Sequence, residues 1–319
     1  MISTTLCYVF GMHGLGDNLH QRALIRQLLN RTERILLATP WPCLYHDLAH
    51  RIEFVHERSE LRAQSKNAYR EFAKFTYHQA PFISPDFQLK VSYSGASVKA
   101  HGSILAAMLF DSGLEPTPYD FRLPVPDSWH DKAQVWIDQW KPTKPLLIYR
   151  PLTVRTEWQG CALRNPDHDA YSRLFELLRK HFFVVGIADL MTHIEWLVGH
   201  PAQLDACCYA GELDIETLAA LTQRAALVYA SSGFASILAQ AVGTPSICVF
   251  GGLENSSSLS LGGNLTPYLG IDPIQPCSCF SFKCSHECSK QIDIRAAQSR
   301  IERFVEDALA HHSTIGLGH

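Results

Sequence analysis

Asp17 stands in a glycine-rich turn, Gly11-Met12-His13-Gly14-Leu15-Gly16-Asp17-Asn18, directly after the apolar run Leu6–Phe10. Far downstream a second turn, Ser231-Ser232-Gly233, follows the apolar run Ala226–Ala230 and precedes Ile237–Gly243, Thr244-Pro245 and Phe250-Gly251-Gly252. Both read as strand-to-helix turns, which present free backbone N–H groups to an anion. One turn carries an acid, the other only hydroxyls and a glycine. That division suits a cleft in which the second half of the chain holds a phosphate-linked donor and the first half removes a proton.

The elements that must position these turns follow from alternating short apolar runs and helical periodicity, the pattern of βαβ units and parallel sheets. In the first half the pattern predicts strands near 4–10, 33–38, 51–56 and 88–94, and helices near 19–30, 58–75 and 97–110. A helix is expected over Ser128–Trp140, followed by Lys141-Pro142-Thr143-Lys144-Pro145. Proline removes donors and disfavours helix in the residue before it, so the linker is placed there, dividing the chain into domains 1–143 and 144–319. The second half restarts with Leu146–Tyr149, then a helix Asp167–His181, strands Phe182–Gly186 and Ala206–Ala210, a helix Ile215–Arg224, strands around Ser231–Phe250 and a last helix near Arg295–Ala310. No short-period repeat is present.

At 319 residues and 46% hydrophobic content the chain can bury two cores. A formal charge of -3 with 18% charged residues gives no global electrostatic case for nucleic acid, so an anionic partner must be met by a local patch. The start, Met1-Ile2-Ser3-Thr4-Thr5, lacks a basic n-region and the apolar residues after it are too few for a signal-peptide core or a membrane span. A cytoplasmic protein is expected, with peripheral membrane contact the most that a membrane would see, and with its 10 cysteines reduced.

The ordered set of Gly16-Asp17, the segment Pro151–Trp158, Ser232-Gly233, Ala239, Gly243-Thr244-Pro245, Phe250-Gly251 and a cysteine-rich loop ahead of a terminal helix resembles the ADP-heptose:lipopolysaccharide heptosyltransferases over most of the chain. The resemblance implies an α/β, GT-B fold: two Rossmann-like domains facing each other across a cleft, the terminal helix packing back toward the first domain. It also implies that the second domain holds a nucleoside-diphosphate sugar and the first an acceptor. The transfer implied is inverting and needs no metal cofactor for catalysis.

Inverting transfer requires a base that deprotonates the acceptor hydroxyl as it attacks the anomeric carbon opposite the leaving diphosphate, and Asp17 is the candidate. Capping of a helix starting near Asn18 or Leu19 is the structural alternative for that residue. His13 and His20 flank the turn as alternative bases, with His13 also placed toward the acceptor. For the donor, Gly16, Ser231, Ser232, Gly233 and Ser236 offer backbone and hydroxyl groups to the nucleotide sugar. By the resemblance Arg155 reaches the diphosphate, with Thr153 donating beside it, and Arg150 and Arg164 flank it as substitutes. Asp189, beyond the strand ending near Ile187, sits where a ribose hydroxyl is often received. The resembling enzymes carry an acid that contacts sugar hydroxyls where this chain has Ser231, and a histidine where it has Ser236.

Arg58, Arg62, Lys66, Arg70 and Lys74 recur every four residues and would form one basic stripe on a helix. The stripe fits an acidic glycan acceptor such as lipopolysaccharide core. A solvated face balanced by Glu57, Glu60 and Glu71 is its plain alternative. The same cations leave open a nucleic-acid acceptor such as a modified DNA base, and a protein acceptor or a non-catalytic nucleotide-sugar-binding protein remain further classes. Cys277, Cys279, Cys284 and Cys288 form a C-x-C-x4-C-x3-C cluster, a candidate structural site for zinc or iron.

Overall fold

The computed structural model describes residues 5–56, 77, 85–115, 120–156, 164–199, 203–262, 266–280 and 289–316. The chain divides into two units, Met1–Pro124 and Val125–His319. The division falls ahead of the helix α4 (Asp127–Trp140), which the sequence pattern had placed with the first half. The reason is packing. In the second unit α4 lies against α6 (Ile215–Arg224), with the Lys132 ammonium reaching Asp214 at 3.4 Å and also pairing with Glu216. Arg224 of α6 meets His130 at 3.3 Å and Gln134 on α4.

The first unit is built on β1 (Leu6–Phe10), β2 (Arg34–Thr39), β3 (Ile52–His56) and β4 (Phe87–Lys90) in the order β3-β2-β1-β4, all parallel. Strand β2 is buried along nearly its whole length, as expected of a strand covered on both faces. Helix α1 (Leu15–Leu29) connects β1 to β2, and a 3-10 segment, Pro42–Arg51, connects β2 to β3. The stretch expected as one helix over 97–110 forms two, α2 (Gly95–His101) and α3 (Ile104–Asp111). The break comes at Gly102-Ser103, where the Ser103 hydroxyl accepts from Ala106 N–H at 3.1 Å and starts the second helix. Arg22 is fully buried in α1, paired with Asp47 at 3.0 Å and donating to the carbonyls of Leu44, Phe121 and Arg122, which fixes the rotation of α1. Burial lowers its pKa, and the Asp47 carboxylate opposes that shift.

The second unit carries β5 (Leu146–Tyr149), β7 (Phe183–Ile187), β9 (Ala206–Cys208), β10 (Leu227–Ser231), β11 (Ser246–Val249) and β12 (Tyr268–Ile271) in the order β12-β11-β10-β5-β7-β9, again parallel. Counted from β5 in chain order, this is the 3-2-1-4-5-6 doubly wound arrangement. An antiparallel ribbon of β6 (Thr153–Arg155) and β8 (Glu195–Leu197) stands apart from the main sheet. Helices α5 (His168–Arg179), α7 (Phe234–Val242) and α9 (Ile294–Gly316) cover the sheet, and α8 (Ser256–Leu259) is a single turn after β11. The core joins Leu174, Leu178, Val184, Tyr229 and Val249 to Ala297, Ile301 and Val305 of α9. The packing that α9 makes here is on α5 and β12 of its own unit. Among the described residues no helix is long and apolar enough to cross a membrane.

Candidate active site

In an open parallel sheet the natural ligand crevice lies beyond the strand C-termini where the strand order reverses, and in the first unit that point falls between β1 and β4. Each strand sends one functional group there. Asp17 follows β1 and Tyr93 follows β4, and the Tyr93 hydroxyl donates to Asp17 Oδ1 at 2.9 Å. Helix α1 starts at Leu15, not near residue 19, so Asp17 lies inside its first turn and Gly14 is the cap. No side chain caps that helix. Helical structure reaches back across Gly16 because a carboxylate in the first turn complements the positive end of the helix dipole. The carboxylate folds back over Gly14, where a Cβ would collide with Asp17 Oδ2.

The loop that carries Asp17 is held from beneath by amides the sequence reading did not single out. Asn18 is fully buried; its Nδ2 donates to the carbonyls of Met12 at 2.7 Å and Gly14 at 2.8 Å, and its Oδ1 accepts from the Thr39 hydroxyl at 2.8 Å and the Tyr45 hydroxyl at 3.0 Å. Gln21 accepts from Met12 N–H at 2.8 Å and donates to the Tyr45 hydroxyl at 2.8 Å. Trp41 donates its indole N–H to the carbonyl of His13 at 2.7 Å. His13 thus lies on the loop, held through its backbone, and Gly16 in the first turn of α1. His20 is buried in α1, 1% exposed, and desolvation lowers its pKa to about 3. A buried neutral imidazole is poorly placed to exchange a proton with an acceptor. Arg58, Arg62 and Lys66 lie outside the described residues, as do Arg70 and Lys74.

In the second unit the order reverses between β5 and β10. Strand β10 ends at Ser231, and α7 begins at Phe234 with Gly233 as its cap, which offers no side chain to the free N–H groups. Gly233 has φ 156° and ψ -167°, backbone that essentially only glycine adopts. Residues 231–234 are half-buried, so the turn is accessible. Ser236, expected at the donor, lies in the first turn of α7 but is fully buried, with its hydroxyl against the Cys248 thiol inside the fold.

At the end of β5 the backbone of Arg150 is fixed twice: its N–H donates to the carbonyl of Tyr229 at 3.0 Å, and its carbonyl accepts from the Tyr171 hydroxyl at 2.7 Å. The rings of Tyr149 and Phe175 stack at 4.1 Å behind it. The Arg150 guanidinium donates to Glu195 at 2.8 Å and to the Thr153 hydroxyl at 3.3 Å, while Arg155 pairs with the same carboxylate at 3.2 Å. Burial works to raise the pKa of Glu195, but the two arginines and the Thr153 hydroxyl outweigh it and hold the group below the usual carboxylate range. Two cations on one carboxylate leave a net positive charge, which suits a diphosphate. Arg164 reaches the Ser231–Gly233 turn: its Nη2 lies 3.2 Å from the Ser232 hydroxyl and 2.8 Å from Glu254. Asp189 bridges through its backbone to Ala210 past the end of β7.

Cys277 and Cys279 bring their sulfurs to 3.5 Å, with the Cys277 thiol donating to the carbonyl of Gly252. Cys284 and Cys288 lie outside the described residues. Among the described residues no group of three or more His, Cys, Asp or Glu side chains gathers in a metal-binding arrangement.

No protein-family model matches the chain, and no curated protein matches it by sequence. Solved structures do. A family 9 glycosyltransferase from Veillonella parvula DSM 2008 aligns with a TM-score of 0.60 at 12% identity, covering 95% of this chain and 98% of that one. The chain shares the fold of these glycosyltransferases. ADP-heptose LPS heptosyltransferase II of E. coli aligns with a TM-score of 0.57 at 11% identity over 95% of this chain and 99% of its own. The iron-containing dodecameric glycosyltransferase TibC from enterotoxigenic E. coli H10407 aligns with a TM-score of 0.57 at 14% identity, covering 98% of this chain and 76% of that chain. The α/β architecture with parallel sheets expected from the ordered motifs is the one found, and these neighbours share it.

Proposed function

We propose that the protein is an inverting glycosyltransferase of the GT-B type that moves a heptosyl or hexosyl group from a nucleoside-diphosphate sugar to a hydroxyl of an acidic glycan such as lipopolysaccharide core. The observation that carries the reading is the placement of both sequence turns at the reversal points of their sheets, an acid in the first unit and an uncapped helix N-terminus in the second. In this reading Asp17 takes the proton of the acceptor hydroxyl. The acceptor oxygen bonds to the anomeric carbon from one face as the bond to the diphosphate breaks on the other, so the leaving group carries away the electron pair. Tyr93 orients the carboxylate of Asp17 toward the acceptor. The N–H groups at the start of α7 and the cations Arg150, Arg155 and Arg164 receive the charge that builds on the diphosphate, fixed donors being worth most where charge develops. The reading places the nucleotide sugar on the second unit, with Ser231, Ser232 and Gly233 at the diphosphate, and the acceptor on the first unit, near His13 and the basic stripe of Arg58, Arg62 and Lys66.

The separation of Cys277 and Cys279 fits a structural metal. Two thiolates on one tetrahedral ion with metal–sulfur bonds of about 2.3 Å stand about 3.8 Å apart, close to the Cys277–Cys279 separation. Zinc or iron held by Cys277, Cys279, Cys284 and Cys288 would tie the loop together; TibC, which shares the fold, is iron-containing. No step of the transfer is assigned to it.

A thermal-shift screen against ADP-, UDP-, GDP- and CMP-linked sugars tests the donor assignment. A ligand at 100 times its Kd that binds only the folded state stabilises it by about 2.7 kcal/mol. One nucleotide class should raise the Tm; no shift with any of the four would overturn the reading.

A further inference from the structure

The Ser231–Gly233 turn contains no acid of its own, yet the fold delivers one to it. Glu254, five residues beyond the end of β11, bonds to the Ser232 hydroxyl through Oε2. Arg164 holds the same carboxylate from the other side, Nη2 to Oε1 at 2.8 Å and Nε to Oε2 at 3.3 Å. Glu254 is only 9% exposed, so this is an ordered group and not a surface side chain that happens to lie nearby. Its backbone is fixed on both sides: Leu253 is buried, and Asn255 forms a reciprocal cap with Ser258 and donates to the Ser278 hydroxyl at 2.8 Å.

The hydrogen-bond inventory of that carboxylate is incomplete. Each oxygen can accept two bonds. Oε2 takes Ser232 and Arg164 Nε, whereas Oε1 takes Arg164 Nη2 alone. Among the described residues one acceptor position on Oε1 is left without a partner. A bare carboxylate beside a bound diphosphate would repel it, and the Arg164 partner removes that penalty by making the pair close to neutral. An acceptor group set next to an anion-binding turn, with its charge compensated by an arginine that also faces the turn, matches the two chemistries of a sugar diphosphate: hydroxyls that donate and phosphate oxygens that accept.

We propose that Glu254 is the sugar-specifying residue of the donor site, accepting hydrogen bonds from hydroxyls of the glycosyl group while Arg164 beside it meets the diphosphate. The inference rests on the donor assignment above and adds the residue that reads the sugar. A purely structural latch between the Arg164 loop and the segment after β11 would use the same contacts but would be blind to the sugar.

Glu254→Gln separates the two. It keeps the size of the side chain and an acceptor for Ser232, but removes the charge. Isothermal titration with ADP, UDP and GDP and with their glucose and mannose conjugates gives paired affinities for nucleotide and nucleotide sugar. For the nucleotide class that binds, the variant should lose about 10- to 150-fold in affinity for the sugar conjugate relative to the free diphosphate, the range of a hydrogen bond to a charged group, while the free diphosphate binds no more weakly than to the wild type. A conjugate of that nucleotide with a deoxy sugar lacking the contacted hydroxyl should bind wild type and variant alike. Equal loss for free and sugar-linked diphosphate, or no loss for either, overturns the assignment while the donor reading stands. Failure of the wild-type protein to bind any of the nine ligands takes down both.

Discussion

Asn18→Ala removes the amide that ties the Asp17 loop to the sheet, and the structure sets the size of the effect. Four hydrogen bonds disappear, but their partners are not equally stranded. The Tyr45 hydroxyl keeps the Gln21 amide at 2.8 Å and the carbonyl of residue 18 at 3.1 Å, and the Thr39 hydroxyl keeps the N–H of Trp41 at 3.1 Å. The Gly14 carbonyl keeps the N–H of residue 18 at 3.0 Å. Only the Met12 carbonyl loses the single partner described for it. One stranded half-buried carbonyl, three weakened groups and a small cavity together come to about 2–4 kcal/mol of local stability. Hydrogen–deuterium exchange of peptides spanning residues 11–26 should show protection falling by that amount, while peptides of α7 keep theirs. Turnover should fall with it, because the carboxylate of Asp17 depends on the loop for its position, whereas affinity for a nucleotide sugar should be unchanged. A loss of protection below about 1 kcal/mol would show that the amide network does not hold the loop.

Two other perturbations probe the units separately. His20 has a folded-state pKa of about 3 against an ordinary 6.5, so its contribution is complete above pH 6.5 and is lost as the pH falls toward 3, where the unfolded chain alone binds the proton. At pH 5 the 1.5-unit gap below 6.5 amounts to ~2 kcal/mol; His20→Leu should shrink the Tm difference between pH 7 and pH 5, and an unchanged difference would mean that the imidazole is not buried as described. Gly233→Val forces a β-branched residue into backbone that only glycine tolerates, at a cost of ~1–3 kcal/mol. Because a Cβ there meets no atom within 4 Å, the damage is to the turn geometry and not to packing, so affinity for a nucleoside diphosphate by calorimetry should drop at least about tenfold, one pK-sized step of free energy. Unaltered affinity would detach the turn from the phosphate.

The parallel α/β character and most second-unit elements were legible because each apolar run is long enough to show its period. Leu146–Tyr149 and Ile215–Arg224 have the expected bounds. What failed locally failed for identifiable reasons. Helix α1 starts four residues early because glycines at 14 and 16 read as turn while the backbone there supports a helix whose first turn welcomes an acid. The 3-10 segment Pro42–Arg51 and the three-residue strands β6 and β8 are too short or too irregular to carry a periodic signal. The helix α4 belongs to the second unit although the proline-rich stretch follows it, because proline marks a break in the chain, not the surface a helix packs on. The site was legible where a local motif carried it, as at Asp17 and Ser231–Gly233. Tyr93 and Glu254 were not, since they arrive from 76 and 22 residues away and only strand order brings them in. Asn18 and Gln21 had a weaker signal, polar residues adjoining the acid on a helix whose neighbours are apolar.

The most direct test of the account is transfer and donor binding measured together in Asp17→Asn. With the nucleotide sugar identified by the screen, calorimetry on the variant should return the wild-type Kd, and single-turnover transfer to an acidic glycan should slow by roughly 10²- to 10⁴-fold, the contribution of a positioned general base. Transfer at the wild-type rate would contradict the central claim that this carboxylate takes the acceptor proton.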